Sequence, residues 1–413
     1  GVDRIFVTGS KSSSPNMSYT SVYLDSNGIV YATGRNLNGQ LGDGTTTDRN
    51  SPIRVLKGAY NGTTYLGDNP TNPIVAVAAG FAHTIALAAD GTVFSFGSNG
   101  SGELGDSTLV QKNTPIKVKK GMYNGTAFLG DNPLNPIIGI DAGTSVSHCL
   151  ASDGTLYSFG ENNIGQIGDS TLIDKRTPIR VKKGAYSGTS YLGDHASNPI
   201  IAIASNGHSF HALAANGTVY SVGYNFYGQL GDGTTANKIV PVRVVKGTYS
   251  GTNYLGDDPE NPIISIARGS TRGMALSSNG RVFSFGDNSD GQLGNGTFLN
   301  SSTPVGAVKG VYPGTTYLGD DSANPVVNIS AGYYHSMALT KDGSVYAFGS
   351  NTSNGQLGDG TLLVRNTPVR VLKGNYIGAT NLGDQIANPI VSIHGGWFHS
   401  CAIAQDGFVY AWG

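Results

Sequence analysis

Three sets of side chains in this 413-residue sequence have types and spacings that could do chemistry. Asp43, Asp106, Asp169, Asp232, Asn295 and Asp359 each follow Leu-Gly or Ile-Gly. A ring of carboxylates suits acid–base or metal work, but one copy per repeat would hold each far from the next. Asp and Asn at turns also accept bonds from nearby backbone N–H groups, and that structural reading is preferred. A second set, Asp68, Asp131, Asp194, Asp257, Asp320 and Asp384, ends a recurring Leu-Gly-Asp. Calcium takes six to eight oxygens, and one carboxylate per loop is thin, so calcium is only a minor alternative there. Pairing with the repeated Lys57, Lys120, Lys183, Lys246, Lys309 and Lys373 is expected instead. His208 and His211 are three apart, but zinc would need further ligands, and no Cys or Glu lies nearby in the repeat. Cys149 and Cys401 occupy equivalent repeat positions and read as small buried apolar residues. No nucleophile elbow, phosphate loop or dinucleotide fingerprint is present. The expectation is a non-enzyme without a cofactor.

Composition narrows the partners. Net charge is −1, and only 13% of residues are charged. That argues against nucleic acid, which wants a basic patch, and against electrostatic membrane binding. No apolar run approaches the roughly 20 residues of a spanning helix, so membrane insertion is not expected. Gly, at 61 residues, is about twice its usual share.

The elements that carry these residues repeat. YATG, FSFG, YSFG, YSVG, FSFG, YAFG and YAWG end at Gly34, Gly97, Gly160, Gly223, Gly286, Gly349 and Gly413. The spacing is 63 residues, with 64 at the last step. Within one unit, "IVAVAA" (74–79), "TIALA" (84–88), "TVFSFG" (92–97) and "TPIKV" (114–118) read as four strands. Asp90-Gly91 predicts a type I′ hairpin turn, and Pro115 suits an outer strand. No stretch has helical period. Four short strands repeated seven times predict an all-β, seven-bladed propeller spanning 1–413 as one domain. The segment after the third strand occurs six times only, so the last blade is expected to lack its outer strand within this chain.

"AAGFAHTIALAADGTVFSFGSNGSGELGD" (78–106) resembles the regulator-of-chromosome-condensation repeat. The likeness rests on a Gly-x-x-His turn, an Asp-Gly hairpin, an aromatic-x-x-Gly strand and Asn-x-x-Gly-Gln-Leu-Gly, and it recurs along essentially the whole chain. It implies a seven-bladed propeller in a family of mixed function, including one guanine nucleotide exchange factor for a small GTPase. Three departures stand out. The repeat carries an extra "KGAYNGTTYLGDNPTNP" (57–73), present six times. The family histidine occurs only at His83, His335 and His399, with Thr20, Val146, Ser209 and Arg272 elsewhere. Nothing matches the exchange factor's GTPase-contacting wedge.

Antiparallel connectivity puts the Gly-x-x-His turns and Gly-Gln-Leu-Gly loops on one face, and the hairpin turns and inserts on the other. The inserts hardly change between copies. The turns change freely: "MSYT" (17–20), "GFAH" (80–83), "GTSV" (143–146), "NGHS" (206–209), "GSTR" (269–272), "GYYH" (332–335), "GWFH" (396–399). The first copy also has a longer turn, in "SKSSSPNMSYT" (10–20). Variation on a shared backbone suggests side chains that the fold does not need. Phe81, His83, Tyr224, Phe226, Tyr227, Arg272, Tyr333, Tyr334, His335, Trp397, Phe398 and His399 are therefore the candidate partner-binding residues, because interfaces favour Trp, Tyr and Arg. The reading is a bacterial, extracellular or cell-surface propeller that binds a protein or polysaccharide. Alternatives are a subunit of a sheath, filament or surface layer, self-assembling through the open blade edge or the inserts, and a nucleotide exchange factor.

Overall fold

The computed structural model describes residues 2–7, 20–352 and 354–413. The long first turn and its "MSYT", except Thr20, lie outside the described residues. The strands form seven antiparallel sheets, each ordered as in the sequence; six have four strands and the last has three. The chain is thus a seven-bladed β-propeller. It divides into two compact units, one of residues 1–210 with 238–241, the other of 211–237 with 242–413.

Blade two shows the pattern. Its strands are Ile74–Ala79, His83–Ala88, Val93–Gly97 and Lys112–Lys117. The two middle strands are wholly buried, whereas the outer one is only partly covered. Hydrophobic contact runs between neighbouring blades. Val22, Val30, Leu41 and Val55 of the first blade cluster with Val77, Phe94 and Phe96 of the second. Met337, Leu339 and Leu357 of the sixth cluster with Ile393 and Ala402 of the seventh.

The hairpin turn differs from the type I′ expected. Gly91 has φ of 90°, but Asp90 is not among the non-glycine residues with positive φ. The amide of Gly91 donates to Ala88 at 2.9 Å, and Ala88 donates to Thr92 at 3.0 Å. These bonds make a type I turn closed by a glycine bulge. Asp90 keeps its ordinary backbone because its carboxylate accepts from Thr92 N–H at 2.9 Å, two residues on.

The insert belongs to the core. Tyr60 packs edge-to-face on Phe94 with centroids 5.5 Å apart, and its hydroxyl donates to the Asn72 carbonyl. Leu66, fully buried, extends the ladder by donating to Val55 and accepting from Val30. Asn72 then clamps the hairpin turn, accepting from Asp90 N–H and donating to its carboxylate, each at 2.9 Å. Inserts and hairpin turns therefore share one face, as expected.

Candidate partner-binding face

On the opposite face, each Gly-x-x-His turn is built against its neighbour. The His83 ring lies over Gly80, where an added Cβ would sit 2.2 Å from the ring. Its Nε2 meets Ser147 Oγ of blade three at 3.0 Å. Ser147 Oγ donates to the Glu103 carbonyl at 2.9 Å. That hydroxyl proton is therefore committed, so His83 Nε2 carries the proton that bridges the blades. His335 repeats the arrangement, with Ser400 at 2.7 Å and Ser400 donating to Gln356. Arg272 does the same work with a longer side chain. Its Nε donates to Ser336 at 2.9 Å, and its Nη atoms to the carbonyls of Tyr333, Gly332 and His335.

This corrects the sequence reading at three residues. His83, His335 and Arg272 are at most 1% exposed, so they cannot touch a partner directly. They are latches between blades, and variation among copies did not mean that the fold could spare them. Burial holds all three below their ordinary pKa values, His335 at about 3 and Arg272 at about 9. Burial therefore favours the neutral imidazole at His83 and His335.

A further buried pair was missed by sequence reasoning. Arg268, the last residue of blade five's first strand, sits 2.6 Å from His211 Nε2. Its Nη1 also donates to the Gln229 carbonyl at 3.3 Å. In blades two, three, six and seven a Ser or Thr hydroxyl serves that loop carbonyl, as Thr84 serves Gln40. Blade five has Gly273 there, and a Cβ would sit 2.6 Å from His211 Nε2. The guanidinium replaces the absent hydroxyl. His211 is held well below its ordinary pKa by burial and by Arg268. His208 instead faces Glu161 at 3.4 Å, so the two histidines have separate partners and are not brought together.

What remains accessible is aromatic. Tyr333 of blade six stacks on Trp397 of blade seven, with centroids 3.8 Å apart and planes inclined by 30°. Tyr334 lies 4.4 Å from Tyr333 and 5.7 Å from Phe398. All four rings are half-buried, and together they make a continuous strip across two blades. Burial, with Tyr333, Asp290 and Asp287 nearby, pushes the Tyr334 hydroxyl up to about 12. Blade four gathers a second cluster, in which Phe226 lies 5.2 Å from Tyr227 and 6.5 Å from Tyr224. Phe226 is 65% exposed, and Phe81 in blade two is 37% exposed. His399 is half-buried and its pKa is lowered by burial. Loops between the third and fourth strands carry exposed apolar pairs that sequence reasoning passed over: Leu109-Val110, Leu172-Ile173, Phe298-Leu299 and Leu362-Leu363. The available signal was that the equivalent loops of blades one and four are polar, "TTTD" (45–48) and "TTAN" (234–237).

The carboxylate sets are structural. Asp43 accepts from Thr45, Asn36 and Arg49, and its equivalents Asp106 and Asp359 behave alike. Asp68 accepts from three backbone N–H groups and the Thr63 hydroxyl. Those bonds outweigh desolvation and lower its pKa to about 2. The expected pairing with Lys57 is not made, because Lys57 donates to the Gly62 carbonyl at 3.2 Å and the carboxylate is enclosed by donors. Donors pointing inward suit the ionised carboxylate. Among the described residues no three His, Cys, Asp or Glu side chains gather as a metal set. Cys149 and Cys401 are free and buried, and burial raises both thiols.

Comparison with known proteins fits this architecture. Residues 18–316 match the RCC1-like domain, and residues 326–356 and 342–403 match the regulator of chromosome condensation (RCC1) repeat. The Ultraviolet-B receptor UVR8 of Arabidopsis thaliana is 29% identical over 95% of this chain and 74% of its own length. A human probable E3 ubiquitin-protein ligase, HERC4, is 30% identical over 58% of this chain but only 20% of its own length. Human WBSCR16 superposes with a TM-score of 0.72 at 22% identity, covering 97% of this chain and 87% of that one. Prp20p of Saccharomyces cerevisiae, whose structure was described with its binding properties to Gsp1p and histones, gives 0.65 at 21% identity over 95% and 82%. At those identities the structural likeness speaks for the fold alone. The chain belongs to the RCC1-like domain family.

Proposed function

We propose that this propeller is a non-enzymatic interaction module, and that it binds a protein or polysaccharide partner through the aromatic part of its variable face. The observation that carries this is the Tyr333–Trp397 stack, with Tyr334 and Phe398 beside it. The blades are joined by the buried latch residues as well as by these rings. Large, rigid, half-exposed aromatics supply contact area at small entropic cost, which is how interface hot spots work. Among relatives, Prp20p is described by its binding to Gsp1p and histones, which agrees with a propeller that serves as a binding platform. An extracellular or cell-surface setting rests on composition alone: low charge and near-identical repeats.

The test is a Tyr333→Ala, Tyr334→Ala, Trp397→Ala, Phe398→Ala variant. Tagged wild type and variant are compared by quantitative affinity capture from the source organism. Loss of the captured species by at least tenfold, with the melting temperature little changed, is the expected outcome. Equal capture by a folded variant would sink the reading. Antibody labelling of intact against permeabilised cells tests the location.

A further inference from the structure

The total charge of −1 conceals a local excess. The outer strand and the start of the insert read KNTPIKVKK in blade two (112–120) and KRTPIRVKK in blade three (175–183). These stretches hold four and five cations and no Asp or Glu, whereas the other copies hold three cations at most. Lys112 and Lys175 pair with Asp106 and Asp169, at 3.6 and 2.9 Å. Among the described residues, no carboxylate forms an ion pair with the rest of these cations. The insert carboxylates Asp131 and Asp194 are enclosed by N–H groups and a hydroxyl of their own loops.

The packing of blade two on blade three makes these cations one band. Met122 N–H donates to the Pro178 carbonyl at 2.8 Å, and a Cβ on Gly121 would sit 2.1 Å from that oxygen. Lys119 and Lys120 thus lead onto the strand that carries Arg180. Within each blade, one aromatic ring carries two cations. Lys117 and Lys119 lie 5.2 and 5.5 Å from the centre of Phe128, and Arg180 and Lys182 lie 5.2 and 5.4 Å from that of Tyr191. The second cation is peculiar to these blades. Lys119 and Lys182, both exposed, bridge to the insert at a position that Leu56, Val245, Val308 and Leu372 occupy in the other copies. Two like charges over one ring repel, and four blades manage with an aliphatic side chain there.

We propose that the outer strands of blades two and three form a binding surface for a linear anionic polysaccharide, one that bears a sulfate or carboxylate at regular intervals. The same cation set occurs twice, one blade apart, so a polymer of repeating charge meets both sets by its own period. A folded acidic protein would need two patches built to that spacing. Single-stranded nucleic acid gains its affinity from bases stacked on open rings, and here cations already lie over Phe128 and Tyr191. Exposed Asn124, Ser187 and Ser190 in the adjoining inserts offer amide and hydroxyl groups to sugar hydroxyls. None of these residues belongs to the aromatic strip, so the two surfaces are tested separately.

The probes are labelled heparin and alginate oligosaccharides of matched length, titrated into the 413-residue chain at about 0.15 M salt and followed by anisotropy. Dextran, a DNA duplex, poly-L-glutamate and phosphatidylglycerol vesicles are titrated alongside. Heparin carries sulfates and alginate only carboxylates, so the tighter of the two identifies the anionic group. One of them should bind saturably, at least tenfold tighter than DNA, polyglutamate or vesicles, and dextran should not bind. Lys119→Leu with Lys182→Val installs the residues of blades one and four. It should leave the melting temperature unchanged or raised, yet weaken oligosaccharide binding at least tenfold. Lys309→Ala with Lys373→Ala removes as much charge elsewhere and should change binding little. No saturable binding of either oligosaccharide at about 100 μM, already weak for a specific complex, would overturn the proposal. So would equal or tighter binding of DNA, polyglutamate or vesicles, undiminished binding to the folded Lys119/Lys182 variant, or an equal loss in the Lys309/Lys373 variant.

Discussion

Arg272 and His335 do the same job with different chemistry, and that gives the residue scale its sharpest prediction. Arg272→His should retain nearly the native melting temperature, because Ser336 stands where Ser147 and Ser400 meet their histidines. Arg272→Met should cost about 2–4 kcal/mol in chemical denaturation, because a buried hydroxyl and three carbonyls lose their donor. Titration adds a second expectation. The His335 pKa falls from 6.5 to about 3, chiefly by burial, so folding favours the neutral ring. Its stabilising effect is complete above 6.5 and is lost as pH falls towards 3. Every tenfold difference in proton affinity between the folded and unfolded chain is worth about 1.4 kcal/mol, so His335→Gln should flatten the acid limb of a stability–pH curve. Asp141 runs the other way. Burial raises it from 3.8 to about 6 despite bonds from Ser205 and Ala142 N–H. Its protonated form is favoured, so this contribution is present below 3.8 and lost between 3.8 and about 6. The stability of Asp141→Asn relative to wild type should therefore shift in the variant's favour by about 1–3 kcal/mol between pH 4 and pH 8, around an offset set by the one N–H that an amide cannot serve.

At the element scale, the insert and the hairpin turn are one joint. Gly193 has φ of 91°, and a Cβ there would sit 1.7 Å from the Gly154 carbonyl oxygen. Gly193→Ala should lower stability by at least about 2 kcal/mol, whereas Gly100→Ala, with open space around it, should change little. Melting curves of the two variants decide this. Most elements could be read in the sequence, because period-two strands and turn residues recur at a fixed spacing. The turn type could not, since Asp-Gly fits both a type I′ turn and a glycine bulge, and Asn72 from the insert selects the second. The latch residues were misjudged because position four of each turn faces the seam while positions two and three face outward. The signal was present one repeat further on. His83, Arg272 and His335 are matched by Ser147, Ser336 and Ser400, whereas Val146 is matched by Phe210. Residues on opposite sides of a seam vary together across copies, and comparing each turn only with other turns hides that.

Taken whole, the molecule is a series of nearest-neighbour contacts, and its architecture followed from the 63-residue period. Within the candidate set the rings of Tyr333, Tyr334, Trp397 and Phe398 cluster on adjacent turns, while His83, Arg272 and His335 are buried. Stability in such arrays is roughly a sum over units and seams. Combining Arg272→Met with His335→Gln should therefore depart from additivity, since both line the seams of blade six. Adding Gly100→Ala to either should not. Double-mutant cycles in urea test this.

The latches also have a direction. His83, Arg272 and His335 each reach forward in sequence to a hydroxyl in the following blade, 64 or 65 positions later. During synthesis, then, a blade's latch has no acceptor until the second strand of its successor has left the ribosome. At these three seams the following repeat closes the latch behind it, in order from the N-terminal side. A pause placed before Ser147, Ser336 or Ser400 would leave that seam open, with its imidazole or guanidinium still in water.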